Sequence, residues 1–311
     1  MPTLSLVTFI SGNEVIGDKF IALAARLRQK YSNLAVYAFT NQQEQICDKV
    51  QQIVSPGTTK YARIQRLLDE THSSFCLCID NDVTPDLDAV LVFLQEAFAY
   101  QADLSWGCIG VVHRLGMTAK LVEIDKMLSH HVIRPTLWKL GWGASLPGQL
   151  FLMKSKSFYG RLDAADTVFD DLTIGICARR YNCLVYFTSK TLGYEEPKIT
   201  VTSLITQRIR WAKGFAQVLA ANLQNPKSML LVLVHGVFYH LLCFIIWGVI
   251  VALFFVNANL ALLLWLLVSF FLTFGHKYLL VASIFYTLMF PIIHLTWIAS
   301  MVSCFGGKKK I

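Results

Sequence analysis

The sequence predicts an α/β domain on a mostly parallel sheet, followed by a membrane-embedded helical tail. Three observations carry that prediction. Short β-rich runs alternate with amphipathic helical stretches over the first 110 residues, the pattern of a parallel sheet with helices on both faces. One of these runs ends on Asp80-Asn81-Asp82, at the carboxyl edge where ligands of such sheets bind. From Ser228 to Ile311 there are four basic residues (Lys277, Lys308, Lys309 and Lys310) and no Asp or Glu. The high hydrophobic share of 55% is therefore concentrated in the tail.

The elements follow in order. Leu4–Ile10 is β-rich, and Asp18–Lys30 carries Phe20, Ile21, Leu23, Ala24 and Leu27 at helical spacing. Leu34–Phe39 is a second strand, Tyr61–Glu70 a helix built on Ile64, Leu67 and Leu68, and Phe75–Ile79 a third strand. Asp86–Ala99 is a helix and Leu104–Val112 a further strand. Leu115–His131 reads as a longer amphipathic helix, with a glycine-rich loop at Gly141–Gly148 after it. Asp170-Asp171 opens a helix over Leu172–Tyr181, Leu184–Phe187 returns as a strand, and Val201–Leu223 is helical. In the tail, Met229–Val256 is long enough to span a bilayer with tilt. Leu260–Phe274 is marginal, and Tyr278–Phe305 is interrupted by Pro291. The expected organisation is a catalytic domain over 1–200, an amphipathic interface helix over 201–227 and a membrane region over 228–311 with two to four segments. Asn225-Pro226 is the joint.

Charge and cysteine usage narrow the setting. The first 227 residues hold 24 basic and 20 acidic side chains, a modest excess without a basic–aromatic stripe, so no nucleic-acid role is expected. Met1-Pro2-Thr3 runs into a strand without the basic segment and apolar core of a secretory leader, so the first domain is expected on the cytosolic side. The eight cysteines show no paired framework, and Cys76 and Cys78 read as small buried apolar residues. With three spans, Lys308–Lys310 would end outside, against the positive-inside rule. A re-entrant stretch around Pro291, or one interfacial segment, would return them to the cytosol. The expected location is a bacterial inner or plasma membrane. In a eukaryote, Lys308-Lys309-Lys310-Ile311 would read as a dilysine retrieval signal, with the endoplasmic reticulum or Golgi as the site. His235, His240 and His294 lie in apolar segments and are expected to hydrogen-bond between helices.

Three groups of residues carry chemistry. Asp80 and Asp82, at i and i+2 where a strand breaks into a loop, can hold one hard cation and the phosphates it bridges. As an Asx-rich turn the triplet would be ordinary. Asp170 and Asp171 open a helix, where the dipole favours carboxylates, or they supply a general base for a hydroxyl. Gln207, Arg210 and Trp211 fall on one helical face, suited to stacking and bidentate anion contacts. The plainer reading of that face is an interfacial helix with a snorkelling Arg and a Trp at the membrane edge.

The order and spacing of these groups resemble the membrane-integrated family-2 glycosyltransferases: cellulose, chitin, hyaluronan and poly-N-acetylglucosamine synthases and ceramide glucosyltransferases. The resemblance runs over Leu4–Leu223. Thr59-Lys60-Tyr61-Ala62 is similar to the family's Gly-Lys helix start. Asp80-Asn81-Asp82-Val83-Thr84-Pro85-Asp86 is similar to the stretch around its D-x-D motif, and Phe169-Asp170-Asp171-Leu172 to its Glu-Asp motif. Gln207-Arg208-Ile209-Arg210-Trp211 matches Q-x-x-R-W in full.

The resemblance implies a GT-A-type nucleotide-sugar-binding fold and inverting transfer from a nucleotide sugar, usually a UDP-sugar, to a saccharide or lipid acceptor at the cytosolic membrane face. Asp80 and Asp82 would handle Mg2+ or Mn2+ and the diphosphate, with Lys60 contributing to the donor site. Asp171 would deprotonate the acceptor, with Asp170 beside it. Gln207, Arg210 and Trp211 would hold the diphosphate and the acceptor sugar. A single base suits direct displacement, without the paired carboxylates of glycoside hydrolysis.

The chain also departs from the family. Where the family carries an acidic pair after its second strand, this sequence reads Thr40-Asn41-Gln42-Gln43, leaving Asn41 as the candidate base contact. Asn13 and Glu14 are further candidate nucleotide contacts. Near the acceptor loop the family's Arg is absent and Lys154 stands nearest. Besides donor, acceptor and bilayer, the expected partners are a second copy of the chain or a partner membrane subunit. The alternative is a non-catalytic membrane subunit of a glycan-synthesis complex with a degenerate glycosyltransferase fold.

Overall fold

The computed structural model describes residues 2–10, 14–43, 49–112, 116–163, 167–197 and 200–306. The elements run β1 (Leu4–Phe9), α1 (Asp18–Lys30), β2 (Leu34–Thr40), β3 (Gln51–Val54), α2 (Lys60–Glu70), β4 (Phe75–Asp80), β5 (Val83–Pro85), α3 (Leu87–Ala99), β6 (Leu104–Val111), α4 (Met117–Met127) and α5 (Arg134–Lys139). They continue with β7 (Leu150–Lys154), α6 (Ser155–Phe158), α7 (Asp170–Arg180), β8 (Val185–Glu195), α8 (Val201–Ala221), α9 (Pro226–Gly236), α10 (Leu242–Val256), α11 (Ala258–Phe271) and α12 (Leu280–Gly306). Two units form: Met1–Gly110 with Ala144–Glu196, and Val111–Gly143 with Pro197–Ile311.

The first unit is built on an eight-stranded sheet in the order β3-β2-β1-β4-β7-β6-β8-β5. The expectation of a mostly parallel sheet holds for only half of it. β3, β2, β1 and β4 are parallel, whereas β7 runs antiparallel to β4 and β6, and β5 antiparallel to β8. β1 and β4 lie inside the sheet. All six residues of β1 are buried, Ser5 and Thr8 included, as are Phe75 to Ile79 of β4, which is why β4 reads as an unbroken apolar run rather than an alternation. Helices α1 and α3 bury Phe20, Leu23 and Leu27, and Val90, Phe93 and Leu94, in a core shared with Leu6, Leu77 and Leu152.

Capping fixes where the helices start. Thr59 accepts a bond from the amide of Ala62 at 3.2 Å and begins α2. Asp86 accepts from Ala89 at 3.0 Å and begins α3, so Asp86 is a cap, as its position in the sequence indicated.

In the second unit, α8 and α12 pack through Leu204, Ala282, Tyr286 and Phe290, joined by Leu279 just before α12 and by Leu121 and Ile124 of α4. The long helix expected over Leu115–His131 is interrupted. α4 stops at Met127, and a π-helical stretch over Leu128–Ile133 leads into α5. A second π-helical stretch, Val237–Leu241, joins α9 to α10. Pro226–Val256, 31 residues, and Lys277–Cys304, 28 residues, are long and apolar enough to cross a membrane by length and composition. Ala258–Phe271 is shorter. Pro291 does not interrupt its segment: α12 passes through it, as proline is tolerated where neighbouring helices and local adjustments accommodate the freed backbone group. Lys308–Lys310 lie outside the described residues.

Candidate active site

At the carboxyl end of β4, two acidic positions of the first unit, Asp80 and Asp170, meet at one lysine. Asp80 is the last residue of β4, and its amide donates to the carbonyl of Gln149 at 2.8 Å. Asp170 is the first residue of α7, where the helix dipole favours a carboxylate. Lys60, the first residue of α2, reaches both. Its Nζ lies 2.6 Å from Asp80 Oδ1 and 3.3 Å from Asp170 Oδ2, and donates to the Gly148 carbonyl at 2.6 Å. The Phe9 and Phe151 rings flank it at 5.4 and 5.7 Å.

The side chains of Lys60, Asp80 and Asp170 are 19%, 28% and 16% exposed, so the cluster is enclosed yet reachable from solvent. Desolvation pushes the Asp80 carboxyl up to about 7 against the pull of Lys60, and the charge of Asp170 adds to the rise. Desolvation alone would lower the Lys60 ammonium. The carboxylates of Asp170 and Asp80 outweigh it and hold that group above its ordinary value.

The loop before β7 is pressed against the acid pair. A Cβ on Gly148 would lie 3.2 Å from Asp171 Cβ and 3.6 Å from Asp170 Oδ2. A Cβ on Gly175 of α7 would stand 2.0 Å from the Ala144 carbonyl oxygen, so only glycine allows the helix and loop to approach this closely. Asp170 is the member of the pair that meets Lys60, whereas Asp171 Oδ1 accepts from the amide of Leu172 at 2.8 Å.

Asn81 ties the D-x-D turn to the segment after β1. Its Nδ2 donates to the Val15 carbonyl at 3.0 Å and lies 3.5 Å from Glu14 Oε2, while its Oδ1 accepts from Gly17 at 3.3 Å. Glu14 is thereby brought to the turn, and Asn13 lies outside the described residues. Asp82 is exposed, next to Val83, which pairs with Glu195 of β8.

Asn41, the expected base contact, is held by an arginine of α2. Its Oδ1 accepts from Arg63 Nη2 at 2.5 Å. Arg63 is buried and also donates to the carbonyls of Ile10 at 2.8 Å and Ser55 at 3.2 Å. One planar fork of donors thus gathers chain segments just past β1, β2 and β3, with Asn41 among them.

Gln207, Arg210 and Trp211 belong to the second unit, on α8. Arg210 is exposed, and Gln207 and Trp211 are half-buried. The residue between them matters as much. Arg208 is buried, its guanidinium 4.4 Å from the Trp211 ring centre and 5.3 Å from that of Phe290. Its Nη2 donates to Asp125 Oδ2 at 2.6 Å, and Asp125 Oδ1 accepts from Tyr286 at 3.0 Å. One face of Trp211 is therefore covered by Arg208. The expected hydrogen bonding of His240 between helices does not occur among the described residues. Both of its ring nitrogens are buried without a partner, and the ring stacks on Trp297 at 3.9 Å instead.

Sequence reasoning missed Arg63, Arg208 with Asp125, and Gln149, whose Nε2 donates to Glu195 Oε2 at 3.1 Å. Only Arg208 carried a signal, as the second residue of Q-x-x-R-W. Among the described residues no group of three or more His, Cys, Asp or Glu side chains converges as a metal site. Asp80 and Asp82 are hard oxygen donors and fit a hard divalent cation only as part of a shell completed by other oxygens.

No protein-family model matches the chain, and no curated protein matches it. Solved structures do. The mannosyltransferase PcManGT from Pyrobaculum calidifontis, determined with GDP-Man and Mn2+, is 14% identical, with 99% of this chain and 88% of that chain covered and a TM-score of 0.55. That likeness shows the fold, the mixed α/β arrangement of GT-A-type glycosyltransferases. Two looser likenesses add no argument of their own. Glucosyl-3-phosphoglycerate synthase from Mycobacterium tuberculosis, with Mn2+, UDP-glucose and phosphoglyceric acid, is 15% identical over 70% of this chain and 79% of that chain, with a TM-score of 0.46. S. aureus TarS 1-349 is 11% identical over 99% and 93%, with a TM-score of 0.47.

Proposed function

We infer that the chain is a membrane-bound inverting glycosyltransferase, moving a sugar from a nucleotide sugar, a UDP-sugar first among the candidates, to a saccharide or lipid acceptor at the cytosolic membrane face. The observation that carries this reading is the meeting of Asp80, Asp170 and the Lys60 ammonium within 3.3 Å at the carboxyl edge of a GT-A-like sheet. In this reading Asp80 and Asp82 would hold Mg2+ or Mn2+, which would supply positive charge to the leaving diphosphate. Lys60 adds its own positive charge to the same group. Asp171 takes the proton of the acceptor hydroxyl as the new glycosidic bond forms and the sugar–phosphate bond breaks. Asp170, held by Lys60, orients the start of α7. Gln207, Arg210 and Trp211 are assigned to diphosphate and acceptor contacts.

The two long apolar helices support attachment to the bilayer, with a lipid or saccharide acceptor presented at its surface. The test is a panel of UDP- and GDP-sugars offered to purified protein in lipid with Mg2+ or Mn2+, with products separated as polymer, oligomer or glycolipid. Transfer from none of the donors would remove the reading.

The engagement of Asn41 by Arg63 favours a second reading, a non-catalytic subunit of a glycan-synthesis complex. Asp171→Asn separates the two: a catalytic chain loses sugar transfer, and a scaffold keeps the activity of its complex.

A further inference from the structure

Lys60 stands in a position that helix stability does not explain. It is the first residue of α2, where the helix dipole disfavours a positive charge. Its ammonium is nevertheless engaged. It donates to the Gly148 carbonyl at 2.6 Å, pairs with Asp80 Oδ1 at 2.6 Å and lies 3.3 Å from Asp170 Oδ2, a buried oxygen that accepts no hydrogen bond among the described residues and is met there by charge alone. The Phe9 and Phe151 rings close its flanks. One positive charge therefore fills the space between the two acidic positions. We propose that Lys60 is a resident counter-cation that makes divalent-cation binding to Asp80 conditional on the nucleotide diphosphate.

The argument rests on the sugar-transfer reading and on charge. A divalent cation arriving at Asp80 must either displace the ammonium from Oδ1 or sit within a few Å of it on the other oxygen. Both cost electrostatic energy in an enclosed site. A diphosphate supplies the missing negative charge, and its oxygens can lie against the cation and the ammonium together. Cation and donor would then enter as one unit, and the free protein would not hold the metal tightly. Without Lys60, Asp80 and Asp170 would be left as carboxylates lacking their shared counter-ion, and a divalent cation would be the natural replacement.

The test is direct Mn2+ binding, read from the loss of the free-ion electron paramagnetic resonance signal, on the full chain in lipid. It is run without nucleotide, with UDP and with GDP. The wild type is expected to bind Mn2+ at least about tenfold more tightly with one of the nucleotides than alone. Lys60→Met is expected to bind Mn2+ alone at least about tenfold more tightly than the wild type, with the nucleotide effect reduced. Lys60→Arg keeps the charge and is expected to keep the wild-type pattern. Lys60→Gln gives the same readout as Lys60→Met if that variant does not fold. Neutral variants that melt as the wild type does, yet bind Mn2+ no more tightly, overturn the proposal while leaving the sugar-transfer reading intact. A wild type that binds Mn2+ under none of the three conditions overturns the metal-dependent reading itself.

Discussion

Two cations one helical turn apart organise the first unit in different ways. Lys60 gathers carboxylates, and Arg63 gathers backbone carbonyls. Arg63→Met would leave the carbonyls of Ile10 and Ser55 and the Asn41 amide oxygen without that donor. The expected cost is about 2–4 kcal/mol, read as a lower denaturation midpoint, and an unchanged midpoint would contradict it. In the second unit, the buried Arg208 pairs with Asp125, whose side chain is 25% exposed. Asp125→Asn is expected to destabilise by about 3–5 kcal/mol, because it strands the buried guanidinium, and Arg208→Met by less, because Asp125 keeps solvent and the Tyr286 hydroxyl. The double variant should cost clearly less than the two together, and strict additivity would show that the pair is not coupled. Asp80 and Asp170 were legible from their order in the chain. Arg63 was not, because charged residues rarely lie inside and nothing in Lys60–Glu70 marks which of its basic residues turns inward.

At the scale of elements, local patterns were readable and pairings were not. α1, α2 and α3 announce themselves by spacing, and α2 and α3 also by their caps, Thr59 and Asp86. β7 is a run of four apolar residues ending on Lys154, too short to be told from a loop segment, and its antiparallel insertion between β4 and β6 turns a parallel sheet into a mixed one. That insertion matters for the site. It places Gln149 and Gly148 beside Asp80 and draws the loop against α7. Gly175 is the contact on which this depends. Gly175→Ala sets a Cβ 2.0 Å from the Ala144 carbonyl oxygen, so loop or helix must shift. The expected result is a loss of about 1–3 kcal/mol and a raised donor KM, measured by thermal melting and initial rates. A neutral Gly175→Ala would mean that the approach of loop and helix is not needed.

For the whole molecule, the division between a charged first part and an apolar tail is written in composition, and the helices Pro226–Val256 and Lys277–Cys304 follow it. What composition left unread is that Val111–Gly143 belongs with the C-terminal helices, a pairing made by side chains far apart in sequence, such as Tyr286 with Asp125. The proposed membrane attachment predicts that the full chain stays in the pellet when membranes are washed with alkaline carbonate. Release into the supernatant would contradict it.

The central claim is sugar transfer at the Lys60–Asp80–Asp170 site, with the adjacent Asp171 as base. Its most direct test is the transfer rate of wild type and Asp171→Asn, side by side in lipid, with a nucleotide sugar and Mn2+. The wild type is expected to form a glycosylated product of inverted anomeric configuration and to lose that activity with a chelator. Asp171→Asn should melt like the wild type and transfer about 100- to 10,000-fold more slowly. Equal rates in the two proteins, or a product with retained configuration, would contradict the account.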